Sequence, residues 1–311
     1  MDRIQVGNAP CSWGTLEFEG LETNPIGYTQ MLDELVETGY TATELGDWGF
    51  MPTEPEVLRK EIESRNLVML GAYIHVAFKY PASQASRREE VLKTARLLAA
   101  ASPDHSPFLI LADDNAADPV RAACAGRATP QVGLSASEWR TFARGVEEMA
   151  KIIKEETGVP SLFHHHCAGF VETPAEIDRL LENTTSDLIN LVFDTGHYIF
   201  GAGVDGLGSD GNLEPVLERY RERIAYLHFK DCEPRVVDRS RNEGWQYLKS
   251  LGAGVFCELG KGMVDFKGVV SWLNKNNYKG WVLVEQDLLP GMGTPKESAQ
   301  RNRDYLRSLG L

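Results

Sequence analysis

Short apolar runs alternate with longer stretches of helical periodicity along this chain, and that alternation limits the fold more than any other feature. Residues 4–10, 42–45, 68–76, 108–112, 161–166, 191–195, 224–230 and 281–287 have the length and composition of strands. Between them, residues 25–37, 55–65, 86–101, 137–156, 174–182, 213–221, 266–276 and 295–308 carry helical spacing. Several of these open on a polar residue followed by proline, as at Thr173-Pro174 and Thr294-Pro295. Strands that alternate with helices pair in parallel through right-handed crossovers, and eight such units predict a closed (β/α)8 barrel. An open doubly wound sheet that bound a dinucleotide would carry GxGxxG after its first strand. Gly7-Asn8-Ala9-Pro10-Cys11-Ser12-Trp13-Gly14 stands there instead. No low-complexity linker breaks the pattern, so residues 1–311 read as one domain. Residues 112–135 and 231–262 are longer than ordinary strand-to-helix connections and are expected to shape a pocket.

Four apolar runs end in side chains able to bind a metal: His164-His165-His166, Asp194-Thr195-Gly196-His197, His228 and Glu285. In a barrel these ends converge on one mouth, where catalytic groups gather. Alternation along a strand gives His164 and His166 a common direction and His165 the opposite one. Asp194 is expected to hold a divalent cation or to cap the following helix, and His197 to reach the substrate. Glu285 closes the run Trp281-Val282-Leu283-Val284, which is too apolar for an ionised carboxylate without a partner, and is the first choice for a general base. Glu44 and His75 occupy rim positions and are candidate substrate contacts. A mixed His, Asp and Glu set suits Mn²⁺, Co²⁺, Fe²⁺, Mg²⁺ or Zn²⁺. Such an ion stabilises charge on a ketone oxygen while a base removes the adjacent proton, which opens isomerisation, epimerisation or loss of a β-hydroxyl. No GxSxG elbow points to serine hydrolysis.

The formal charge of −13 and the lack of a basic patch argue against a nucleic-acid partner. Five cysteines without CxxC spacing fit a reducing compartment. No apolar stretch is long enough to span a bilayer, so a soluble, cytoplasmic protein without a membrane partner is expected. A homo-oligomer is a possible assembly, although no sequence stripe locates an interface.

The segments Gly7 to Trp13, Phe163-His164-His165-His166, Phe193-Asp194-Thr195-Gly196-His197, Leu227-His228-Phe229-Lys230-Asp231, Gly260-Lys261-Gly262-Met263-Val264-Asp265-Phe266 and Gly280 to Glu285 resemble, in order and spacing, the xylose isomerase-like TIM-barrel superfamily of sugar phosphate isomerases and epimerases. Within it they look most like inosose (2-keto-myo-inositol) dehydratases. The resemblance implies one divalent ion, Mn²⁺ or Co²⁺ ahead of Zn²⁺, Fe²⁺ or Mg²⁺, on Asp194, His228, Glu285 and His164. His164 stands where the superfamily usually has a strand-five glutamate, which removes one of the two bases of an epimerase. Dehydration of a keto-inositol or related sugar therefore becomes the leading expectation, with Glu285 or a metal-held hydroxide as base and an imidazole, His164 or His197, assisting the departing hydroxide. Trp13, Glu44, His75, His166 and Lys230 are the expected substrate contacts. Ser12-Trp13-Gly14-Thr15-Leu16-Glu17 departs from the expected dehydratase segment. Alternatives are an isomerase or epimerase on the same site, cleavage of a 3-keto-glycoside, an abasic-DNA endonuclease, which the acidity disfavours, and a non-catalytic sugar-binding barrel.

Overall fold

The computed structural model of the protein describes residues 4–14, 26–115, 117–204, 206–288 and 293–311. The divergent positions Thr15, Leu16 and Glu17, and Pro25 at the expected start of the first helix, lie outside the described residues. Ten strands are seen among those residues: β1 Gln5–Asn8, β2 Ala42–Glu44, β3 Val68–Val76, β4 Phe108–Asp113, β5 Ser161–His164, β6 Ile189–Asp194, β7 Ile224–Phe229, β8 Asp231–Cys232, β9 Phe256–Cys257 and β10 Trp281–Val284. Eight pair in parallel in the order β1-β10-β7-β6-β5-β4-β3-β2. The sheet curls until β1 meets β2, where the Thr41 amide donates to the Val6 carbonyl at 3.1 Å. Gly7 permits this closure, since a Cβ there would lie 2.9 Å from the Ala42 carbonyl oxygen. The result is the (β/α)8 barrel expected from the alternation, and all eight expected strands are present.

Inside the barrel, Leu70, Ile110, Leu162, Val192, Tyr226 and Leu283 pack as one apolar layer. Side chains on a strand share a face every second residue. Two positions above Leu162, Val192, Tyr226 and Leu283 stand His164, Asp194, His228 and Glu285, so the apolar plug gives way to a polar layer within one pleat. A separate, larger apolar core lies between the strands and the surrounding helices.

The helices Pro174–Glu182 and Pro295–Ser308 begin and end where their sequence signals place them, each opened by a threonine capping box and a first-turn proline. Pro81–Ala101 starts five residues before the expected Ser86, because Pro81 initiates a turn whose small polar residues carry no apolar stripe. The antiparallel pair β8 and β9, inside the long 231–262 segment, was not anticipated. No helix among the described residues is long and apolar enough to cross a membrane.

Asp231 organises the segment after β9. One carboxylate oxygen accepts from the amides of Cys232 (2.9 Å) and Val264 (3.0 Å), the other from Gly260 and Gly262 (both 2.9 Å). A Cβ on Gly262 would lie 2.3 Å from Asp231 Oδ1, which explains the glycine in Gly260-Lys261-Gly262. Replacing Asp231 with Ala leaves four amides without their acceptor and is expected to cost on the order of 3–5 kcal/mol in urea unfolding. A loss below about 1 kcal/mol would mean that the loop holds its shape without the carboxylate.

Candidate active site

A pocket of about 710 Å³, including its open mouth, lies over the polar layer at the C-terminal ends of the strands. Its walls include Cys11, Glu44, Asp47, Tyr73, His164, His166, His228, Lys230, Tyr247, Glu285 and Asp287. At its floor, one ligand-capable atom from each of His164, Asp194, His228 and Glu285 lies within 4.8 Å of the others. Asp194 divides its work between two oxygens. Oδ1 caps the helix Thr195–Gly201 by accepting from the His197 amide at 2.6 Å. Oδ2 is buried without a hydrogen-bond partner and stands 3.8 Å from His164 Nε2. Both ring nitrogens of His164 also lack hydrogen-bond partners. Buried orphan donors and acceptors are costly, and two imidazoles with two carboxylates form a donor set that a divalent cation would satisfy. The residues present therefore fit a metal ion.

His228 lies between two carboxylates, with Nδ1 2.6 Å from Glu285 and Nε2 3.0 Å from Glu44. Burial alone would lower its pKa, but Glu44 and Glu285 lift it to about 10, so without a metal a proton supplies positive charge at this point. A metal-bound His228 would keep one carboxylate as the partner that orients its ring. Glu285 is largely buried, which opposes ionisation, yet Lys230 and His228 hold its carboxyl well below the usual range. Lys230 Nζ is 2.7 Å from Glu285 and 2.8 Å from Asp287. Burial disfavours its charge, and Asp287 and Glu285 more than offset that. The Asp194-Thr195-Gly196 turn secures this lysine. Thr195 Oγ1 donates to the Lys230 carbonyl at 2.6 Å and accepts from its amide at 3.0 Å. A Cβ on Gly196 would come within 2.7 Å of Lys230 Cγ.

The histidine triplet splits as alternation requires. His164 and His166 face the pocket, whereas His165 turns outward, accepts from the Asp194 amide at 3.1 Å and packs on Phe193. His166 Nδ1 lies 2.7 Å from the Cys167 carbonyl and 3.0 Å from Asn115 Nδ2, which together hold its ring against the wall. The turn that follows places Ala168 at φ 71°, with its amide donating to buried Glu172 at 2.7 Å.

Three expected site residues lie elsewhere. Trp13 is buried, and its indole N–H donates to Glu34 at 2.8 Å, because the turn Pro10–Trp13 directs Cys11 toward the pocket and Trp13 toward the helix Tyr28–Thr38. His197 lies behind His166 with ring centroids 3.9 Å apart and touches Phe256, so it supports the wall from behind. His75 lies beyond the pocket lining, 3.5 Å from Asp114 and 39% exposed, one pleat above Tyr73. Glu44, His166 and Lys230 line the pocket as expected. Cys11, Asp47, Tyr73, Tyr247 and Asp287 were missed. Tyr73 and Asp287 had a readable signal, since each lies two residues from a candidate on the same strand end. Tyr247 comes from the long 231–262 segment and had none.

A barrel with titratable side chains of four strands gathered at its C-terminal mouth belongs to the class of barrel enzymes that work through such a polar floor. The sequence profile of the xylose isomerase-like TIM barrel matches residues 32–309, and the chain belongs to that family. Among curated relatives, the inosose dehydratase of Geobacillus kaustophilus is 33% identical over 312 residues, covering 98% of this chain and 94% of that protein. The inosose dehydratase of Salmonella typhimurium is 30% identical over 307 residues, covering 98% and 96%. Among solved structures, an L-ribulose 3-epimerase superposes with a TM-score of 0.67 at 15% identity, covering 99% of this chain and 94% of that one. A probable 3-DHS dehydratase from Bacillus anthracis gives 0.67 at 11%, covering 98% and 99%. At these identities the structures speak for the fold alone.

Burial holds the imidazoles of His165 and His197 well below their usual pKa and lowers His166 to about 3. A depressed imidazole stays neutral in the folded protein while the unfolded chain takes up protons below about pH 6.5, so each of the three withdraws stability as the pH falls through that value. In the metal-free protein their ¹⁵N signals are expected to keep neutral-ring shifts from about pH 8 to about pH 5. Titration of any of them near its ordinary value would mean that water reaches its ring.

Proposed function

We propose that this protein is a divalent-metal-dependent dehydratase of inosose, acting as a single-domain barrel. The observation that carries the reading is the four-residue cluster of His164, Asp194, His228 and Glu285 at the pocket floor, joined to the full-length likeness to inosose dehydratases. Mn²⁺ or Co²⁺ suits the mixed nitrogen and oxygen set. Held there by His164, Asp194, His228 and Glu285, such an ion would supply Lewis acidity that acidifies the C–H next to a ketone.

The chain's own residues supply the proton transfers. Glu285 is ionised and lines the pocket, so it accepts the proton on the carbon next to the ketone. The same cations that keep it ionised weaken it as a base, which makes acidification of the substrate essential. As the β-hydroxyl leaves, its C–O bond breaks, a C=C bond forms, and the oxygen takes a proton to depart as water. His166 is a weak donor of that proton, because burial lowers its pKa to about 3 and keeps the ring neutral. Lys230 can give it, and its ammonium stands on the same side as Glu285, so both events occur on one face of the ring. A proton returned from Glu285 to Lys230 across 2.7 Å resets the pair. Glu44, Asp47 and Asp287 offer acceptors for ring hydroxyls.

With inosose and Mn²⁺ or Co²⁺, mass spectrometry is expected to show a product lighter by one water. A product of unchanged mass would instead support the isomerase or epimerase reading. Glu285→Gln is expected to lower kcat by roughly 10²–10⁴-fold, and a fully active variant would remove Glu285 from the mechanism. Elemental analysis should find a divalent metal in the wild-type protein and none in an Asp194→Ala/His228→Ala double variant. Equal metal in both would sink the ligand assignment.

A further inference from the structure

Glu285 belongs to two clusters. Besides the floor cluster, its carboxylate lies with Cys11 Sγ and an Asp287 oxygen in a group whose atoms are all within 4.8 Å of one another. Two donor sets that share one carboxylate have the layout of a two-ion site, in which the shared group bridges the ions. The second set already contains a cation, the Lys230 ammonium, 2.7 Å from Glu285 and 2.8 Å from Asp287. Its side chain is 2% exposed and lies over the Phe256 ring, with Nζ 4.5 Å from the centroid. Together with the Thr195 contacts to its backbone, this fixes the lysine as part of the wall.

We propose that the Lys230 ammonium is the resident cation of a second subsite made by Cys11, Glu285 and Asp287, and that it holds this active site to one divalent ion. A thiolate with two carboxylates would take a borderline or soft divalent ion such as Co²⁺ or Zn²⁺. The lysine fills that place with a cation that donates hydrogen bonds and cannot be lost by chelation. Removing its charge leaves Asp287 without its cation and Glu285 with His228 alone, beside a thiol, which is a site for a second ion. This inference rests on the proposed metal reading of the floor cluster only for the first ion, and the test keeps the two apart.

The test loads the purified full-length protein with Co²⁺ and reads cobalt per chain together with the near-ultraviolet sulfur-to-cobalt charge-transfer band. Wild type is expected to hold one cobalt and show no thiolate band. Lys230→Met is expected to hold one more cobalt than wild type and to show the band, and adding Cys11→Ser should abolish the band. Lys230→Gln serves as a second neutral variant should the methionine fail to fold. A thiolate band in wild type would overturn the proposal, as would a folded neutral variant with no added cobalt. Wild type without any cobalt would defeat the floor ligand set, while a gain of one thiolate-bound cobalt in the variant would still support the subsite.

Discussion

An ionised carboxylate at the end of an apolar barrel needs positive charge around it, and the arrangement of this active site follows from how Glu285 meets that need. Water is largely excluded, so compensation must come from fixed groups. His228 on neighbouring strand β7 and Lys230 just beyond its end provide it. Each cation in turn requires its own second carboxylate, Glu44 for His228 and Asp287 for Lys230. The array therefore extends from β2 to the segment after β10 as one connected network. Removing either cation takes a partner from two carboxylates at once, so the network transmits that damage to both sides.

The barrel interior supplies the height at which this network operates. Leu162, Val192, Tyr226 and Leu283 close the barrel beneath the polar layer, so polar residues one pleat higher are the first the pocket exposes. The turn after β6 then serves several neighbours at once. Thr195 ties down the Lys230 backbone, Gly196 clears the path of its side chain, and His197 braces His166 from behind. This accounts for the compact Asp194-Thr195-Gly196-His197 segment better than direct substrate contact by His197.

Much of this was legible because periodicity specifies both strand position and side-chain direction. The positions of His164, Asp194, His228 and Glu285 at strand ends, and the opposed directions of His165 and His166, follow from a period of two and a parallel barrel. That reasoning fails beyond the last strand residue, where a turn redirects side chains. Trp13 was misplaced because a 3₁₀ turn rotates it away from the mouth, and His197 because it already belongs to a helix. His75 keeps strand direction but stands one pleat too high. The pair β8 and β9, and the contribution of Tyr247, depend on contacts between distant residues that local pattern does not encode. Among the helices, those with a capping box and proline were placed best, since the signal there is chemical.

Asp194 carries a constraint of a different kind. Its Oδ1 closes the first turn of the helix Thr195–Gly201 while its Oδ2 faces His164. An asparagine would keep the capping oxygen but turn an amide nitrogen toward His164, so both ends are served by a carboxylate. His164, His228 and Glu285 carry no such second duty, since none of them caps a helix. A change at Asp194 therefore disturbs the start of a helix and the floor of the pocket together, which a change at the other three positions does not.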